Sequence, residues 1–221
     1  MKLLALETAN EQCSVSIVDD TQELFFQLDA RAKAQTQTIL PMIEQAFTQL
    51  GLSASELTAI AFSRGPGSFS GVRINAAVTQ ALAWANDLPV VPVSTLQALA
   101  QAAYRVAGLT AVTAVLDARM DEVYISSFQL DPQGIMQPVD TEQLLNYADA
   151  GAMVKFELVG SGSALVKPEQ IQYKDLSATA QDIATIARAH AEQKHWVSAE
   201  QALPVYLRDN AWKKIPEQGK S

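Results

Sequence analysis

Two carboxylates and one glycine-rich loop carry the chemistry this sequence could perform. Glu7 and Asp117 each close a short apolar run. Two such acids could hold a hydrated magnesium ion, or act as acid and base. The loop is S-R-G-P-G-S-F-S-G-V-R, Ser63 to Arg73, with Arg64, Gly65, Gly67, Ser68 and Gly71 as its candidate site residues. Its glycines permit positive φ, its proline fixes φ near about −65°, and Ser68 or Ser70 can cap a following helix. A strand, a glycine loop and a helix in that order present unpaired N–H groups to an anion. The spacing argues against a phosphate. Gly67 and Gly71 are four apart, and Val72 stands where G-x-x-x-x-G-K-[ST] needs lysine. Phe69 stands where G-x-S-x-G needs serine. The other reading is a tight, capped connection that fixes one helix against a sheet. Arg64 and Arg73 would then pair with carboxylates of this chain or of a partner, and each acid would cap the turn after its strand. T-A-N-E-Q after Glu7 has no glycine, which suits it poorly to close approach by a phosphate.

Other reactive sets are weaker. A serine hydrolase would use Ser68 or Ser70, His190 or His195, and Asp117. The order is permitted, but the elbow spacing is wrong and nothing in the sequence brings a histidine near. His190 and His195 are five apart, whereas a metal pair on one helix face needs three or four, so no metal site is expected. Cys13 is the one cysteine and lies in an alternating apolar stretch, as a core residue does.

The elements that must position these groups read as two similar halves. Lys2–Leu6, Cys13–Val18 and Glu23–Leu28 form an antiparallel meander of strands. A helix follows over Ala34–Leu50, with Ile39, Ile43, Ala46 and Leu50 at helical spacing and Pro41 inside. Leu57–Phe62 is a strand, and the glycine loop leads into a second helix ending near Ala85. That helix is small and apolar nearly all round (Ala76, Ala77, Val78, Ala81, Leu82, Ala83), so it needs cover on two sides. Leu88–Val93 is a strand, and Leu96–Val106 is a helix capped by Ser94-Thr95 and stopped by Gly108. The opening then recurs: a strand over Ala111–Leu116 ending in Asp117, then strands over Glu122–Leu130 and Ile135–Val139. A helix is predicted over Thr141–Ala150, and a strand over Phe156–Val159 entering Gly160-Ser161-Gly162. Another helix is predicted over Ser177–Ala191, a strand over Leu203–Leu207, and a polar tail over Trp212–Ser221.

Composition bounds the function. The 221 residues are 48% hydrophobic and 18% charged, enough for a full core. A net charge of −8 without a basic cluster beyond Lys213-Lys214 argues against direct nucleic-acid binding. One cysteine excludes an intrachain disulfide and fits a reducing compartment. No apolar stretch approaches the about twenty residues of a membrane span, and the N-terminal apolar run is too short for a signal peptide. The expectation is a cytoplasmic protein.

Several blocks carry a family resemblance: L-A-L-E-T-A-N-E-Q-C-S-V-S-I, I-L-P-M-I, S-R-G-P-G-S-F-S-G-V-R-I, V-S-T-L, L-D-A-R-M-D-E-V-Y and P-V-Y-L-R. Together they closely resemble the bacterial TsaB (YeaZ) family, from the first residues to about Lys214. The resemblance implies the two-lobed α/β fold of actin, Hsp70 and sugar kinases, with duplicated mixed-sheet lobes over 1–107 and 108–221 and the last helix packing back on the first lobe. It also implies a part in making N6-threonylcarbamoyladenosine at position 37 of tRNA. In that family the catalyst is the paralogue TsaD, the ATPase TsaE joins the assembly, and TsaB is the scaffold. The resemblance implies that this chain has no catalytic residue, cofactor or metal, and meets tRNA only through the complex. The family's interface is a four-helix bundle, shared with TsaD or, in isolation, with a second copy. Carried onto this chain, that interface would draw on Gln35, Ile39, Met42, Ile43 and Ala46 of the first helix. From the second it would draw on Arg73, Ala76, Ala77, Gln80 and Ala81. The stretch matching TsaD's metal-binding helix reads A-K-A-Q-T-Q-T-I-L-P, with no histidine even near Gln35, where many relatives keep one. Glu7 stands where an aspartate is common.

An autonomous ATPase or kinase of the same fold, using Glu7, Asp117 and the glycine loops around magnesium–ATP, is the rival reading.

Overall fold

The computed structural model describes residues 1–208; the predicted tail over Trp212–Ser221 and the Lys213-Lys214 pair lie outside the described residues. The first sheet contains β1 (Leu3–Glu7), β2 (Cys13–Val18), β3 (Glu23–Asp29), β4 (Ala59–Gly65) and β5 (Val90–Ser94) in the order β3-β2-β1-β4-β5. β1 pairs antiparallel with β2 and parallel with β4, so it is central and every one of its residues is buried. Alternation along β1 then serves two cores. Leu4 and Leu6 face α1 (Gln35–Leu50) and α2 (Phe69–Ala85), while Leu3 and Ala5 face a helix from the far end of the chain.

The second sheet repeats the plan. β6 (Ala111–Arg119) pairs antiparallel with β7 (Glu122–Leu130), β7 with β8 (Met136–Pro138), and β6 parallel with β10 (Glu157–Val159). The order β10-β6-β7-β8 matches four of the five strands of the first sheet. This is the duplicated mixed-sheet arrangement of the actin, Hsp70 and sugar-kinase fold.

Two helices cross between the sheets. α3 (Thr95–Ala107) follows the first sheet but packs Leu96, Leu99, Ala100 and Ala103 onto the second. α6 (Ala180–Glu192) follows the second sheet but packs Ile183, Ala184, Ile186 and Ala187 onto the first. Arg105 of α3 joins Asp182 of α6 through two hydrogen bonds of 2.8 and 2.9 Å. The other face of the second sheet is covered by α4 (Tyr147–Met153) and α5 (Ser163–Val166).

Two expected elements differ. The helix predicted over Thr141–Ala150 divides: Gln143–Asn146 is a strand, β9, paired with the half of β7 that β8 leaves open, and the helix begins only after Asn146. The Asn146 side chain accepts from the Asp149 N–H, which makes it a cap and fixes the start of α4 beyond it. Leu203–Leu207, predicted as a strand, joins no sheet. Pro204 has no N–H to donate, and the segment's backbone bond to β4 is Val205 N–H to Arg64 O, at 2.8 Å.

Candidate functional site

The glycine loop is closed by the chain's own backbone. Ser68 caps α2, its Oγ accepting from Gly71 N–H and its carbonyl from Val72 N–H. Ser68 N–H donates to Ala9 O at 2.7 Å, and Thr8 Oγ1 donates to Gly71 O at 2.7 Å. The turn after β1 therefore lies against the loop. A Cβ on Gly71 would stand 2.0 Å from Thr8 O, and one on Gly67 2.5 Å from Ala9 O. These glycines are needed because a neighbouring turn approaches.

Glu7 ends β1 and caps the turn after it, whereas Asp117 lies inside β6, which runs on to Arg119. Glu7 Oε1 accepts from Ala9 N–H at 2.5 Å, and Asp117 Oδ1 accepts from Arg119 N–H at 2.8 Å. Asp117 is partly exposed and paired to Arg119. Glu7 is buried, and burial pushes its carboxyl up to about 7 against the pull of Ala9 N–H, the Ser63 hydroxyl and Asn10 N–H; Asp182 adds a smaller upward push. Its Oε2 has no hydrogen-bond partner of good geometry. Asn75 of α2 ties this corner together, donating to Ser63 Oγ at 2.7 Å and to Leu6 O at 3.2 Å. Arg64 turns to Glu142, whose carboxylate also accepts from Ser94 Oγ, so its partner is a carboxylate of this chain.

The hydrolase set is not assembled. The end of α6 sits by the β2–β3 turn, where Arg188 bonds Asp20 O, whereas the start of α6 lies by Asn10 and Ser14 near the loop. His190 and His195 thus lie at the far end, edge to face at 6.2 Å. Among the described residues no group of three His, Cys, Asp or Glu could hold a metal ion. Burial pushes the Cys13 thiol up to about 11, as befits an inert core residue. No described helix is long and apolar enough to cross a membrane.

What remains is a surface. Of the residues expected at a helix-bundle interface, Gln35, Ile39, Met42, Ile43 and Ala46 of α1 and Ala76 of α2 are buried within this chain. The apolar stripe of an amphipathic helix faces its own sheet first. Arg73, Ala77 and Ala81 are exposed and Gln80 is half-buried. Sequence reasoning missed their exposed neighbours Leu40, Phe69 and Trp84, which are 56, 52 and 67% exposed. Ala77, Ala81 and Trp84 recur at steps of four and three, the signal that could have found them. An open groove of about 580 Å³ runs beside α2, lined by Leu40, Ile43, Phe47, Leu52 and Leu82. At the loop end the Arg73 guanidinium stacks 3.7 Å over Phe69, and its Nε donates to Tyr206 Oη at 2.9 Å. The segment that carries Tyr206 continues to Arg208, which pairs with Glu122 and bonds Ala118 O across the other sheet's first hairpin.

Comparison with known proteins gives a consistent result. The family model for TsaD, tRNA N6-adenosine threonylcarbamoyltransferase, matches residues 29–205. The tRNA threonylcarbamoyladenosine biosynthesis protein TsaB of Escherichia coli is 40% identical, over 98% of this chain and 99% of that protein. Its namesake in Haemophilus influenzae is 35% identical over 98% of each. The solved structure of YeaZ from Pseudomonas aeruginosa superposes with a TM-score of 0.84 at 38% identity, covering 93% of this chain and 99% of that one.

Proposed function

This chain belongs to the TsaB (YeaZ) family, and we propose that it acts in tRNA threonylcarbamoyladenosine biosynthesis as a non-catalytic subunit that docks a TsaD-type paralogue. The observation that carries this reading is the uncovered face of α2, where Ala77, Ala81 and Trp84 stand in solvent on a helix with few polar groups. Small residues there let a facing helix approach to about 8 Å, and α1 supplies Leu40 and Phe47 at the flank. An interface of about 1,600 Å² is ordinary for such a pair, with its energy in a few central residues.

The closed loop supports the non-catalytic half of the proposal. Thr8 and Ala9 lie against the glycines of the loop, and Glu7 and Asp117 each accept a backbone N–H of this chain two residues on. On this reading the chain needs no cofactor or metal, TsaE engages the assembled pair, and tRNA contacts come through the complex. In isolation the same face pairs with a second copy.

The test is reconstitution of tRNA threonylcarbamoylation with TsaD and TsaE, with and without this chain, alongside co-elution with TsaD. Ala81→Glu should abolish co-elution and activity while leaving the fold intact, since residue 81 is exposed. Full product formation without this chain, or unchanged co-elution of the variant, refutes the proposal.

A further inference from the structure

The exposed stripe of α2 runs, at its C-terminal turn, into a second concavity of about 780 Å³. Trp84, Asp87 and Pro89 line it from the end of α2 and the start of β5, and Trp196 and Glu200 from the segment after α6. That segment is tied down: Val197 and Val90 exchange backbone hydrogen bonds of 2.9 and 2.8 Å, and Ala199 and Ala202 are buried in the core that also holds Ala76 and Ala83. Trp196 and Glu200 are therefore held in place against the end of α2.

The lining has a specific chemistry. Two indoles are open to solvent, Trp84 at 67% and Trp196 at 39%. Asp87 and Glu200 bring two carboxylates, and among the described residues neither makes an ion pair. Among the described residues no lysine, arginine or histidine lines the concavity. The Ser198 hydroxyl and a backbone N–H hold the Glu200 carboxyl below its usual range, which keeps it ionised at neutral pH. Aromatic faces beside unpaired anions favour a cation, above all a planar guanidinium that can stack and pair at once.

We propose that this concavity receives an arginine or lysine side chain of the TsaD-type protein seated on α2, the cation stacking on the indoles and pairing with Asp87 and Glu200. The proposal rests on the docking reading above and extends it. Trp84 belongs both to the α2 stripe, seven residues on from Ala77, and to the concavity, so a protein covering the stripe reaches the acids without a gap. The charge of the site then selects which side chain it offers.

The test is calorimetric titration of this chain with purified TsaD at low and moderate salt. Asp87→Asn with Glu200→Gln removes the charge and keeps the shape, and asparagine tolerates the φ of 53° at residue 87. This pair should weaken binding about five- to tenfold at low salt and flatten the salt dependence. Trp196→Ala should weaken it by a similar factor and leave the salt slope. If Ala81→Glu abolishes binding while the charge-neutral pair binds like wild type at every salt, the proposal is overturned and the docking face stands. If Ala81→Glu binds like wild type, the docking reading itself falls. If the charge-neutral pair disturbs only self-association, the occupant is a second copy, and the proposal is again overturned.

Discussion

Glu7→Gln tests whether the buried acid at the end of β1 is a remnant that strains the fold. The carboxyl titrates at about 7 in the folded chain against 4.5 for a solvated glutamate, chiefly because burial penalises its charged form. Below pH 4.5 folded and unfolded chains both hold the proton. Between pH 4.5 and 7 the unfolded chain has released it and the folded chain has not, so the folded state binds more protons and stability falls as pH rises. Above 7 the loss is complete. An interval of about 2.5 pH steps, at about 1.4 kcal/mol each, corresponds to about 3 kcal/mol. Glutamine cannot ionise, yet its oxygen can still accept from Ala9 N–H. Urea unfolding followed by circular dichroism at pH 4.5, 5.5, 6.5 and 8 isolates the effect, because other titrating groups cancel between the two chains. The advantage of the variant should grow from pH 4.5 to 7 and then level at about 3 kcal/mol, or a rise of about 6–12 °C in Tm. A difference that does not change with pH, or a variant less stable at pH 8, refutes the argument that burial governs this group.

Gly71→Ala should cost about 2–3 kcal/mol in denaturant unfolding, because its Cβ would meet Thr8 O at 2.0 Å and the turn would have to shift. Asp182→Ala should cost about 3 kcal/mol by the same measurement, since it strands Arg105 and removes the carboxylate that accepts from Thr179 N–H at the start of α6. Titrating the isolated chain with magnesium–ATP should give no binding heat and no turnover, for wild type and Asp117→Asn alike; micromolar binding with turnover lost in the variant would restore the kinase reading. Tyr206→Phe removes one exposed hydrogen bond from Arg73 and should change stability by no more than about 1 kcal/mol, with helix content unchanged by circular dichroism.

Much of the fold was legible because its signals are local. Strand alternation, the serines before α2 and α3, and the glycines that end α1 and α3 need only neighbouring residues to act. The two similar halves followed from the order of strands and acids, and the spacing within the glycine loop already argued against phosphate. Three features lay beyond that reach. Thr141–Ala150 splits because β7 is long enough to leave a free half, a fact about another strand's partners. The packing of α3 on the second sheet is decided by which sheet its apolar face meets, whereas the return of the last helix to the first lobe was expected from the family resemblance alone. The α1 residues expected at a helix-bundle interface are buried within this chain, because helical periodicity reports that a face is apolar but not what covers it. The same holds at Gly67 and Gly71. The sequence by itself determined a tight, capped connection whose glycines are free in φ; only the folded chain decided that Gly67 and Gly71 make room for Thr8 and Ala9, because close approach is a relation between two segments and a glycine specifies just one of them.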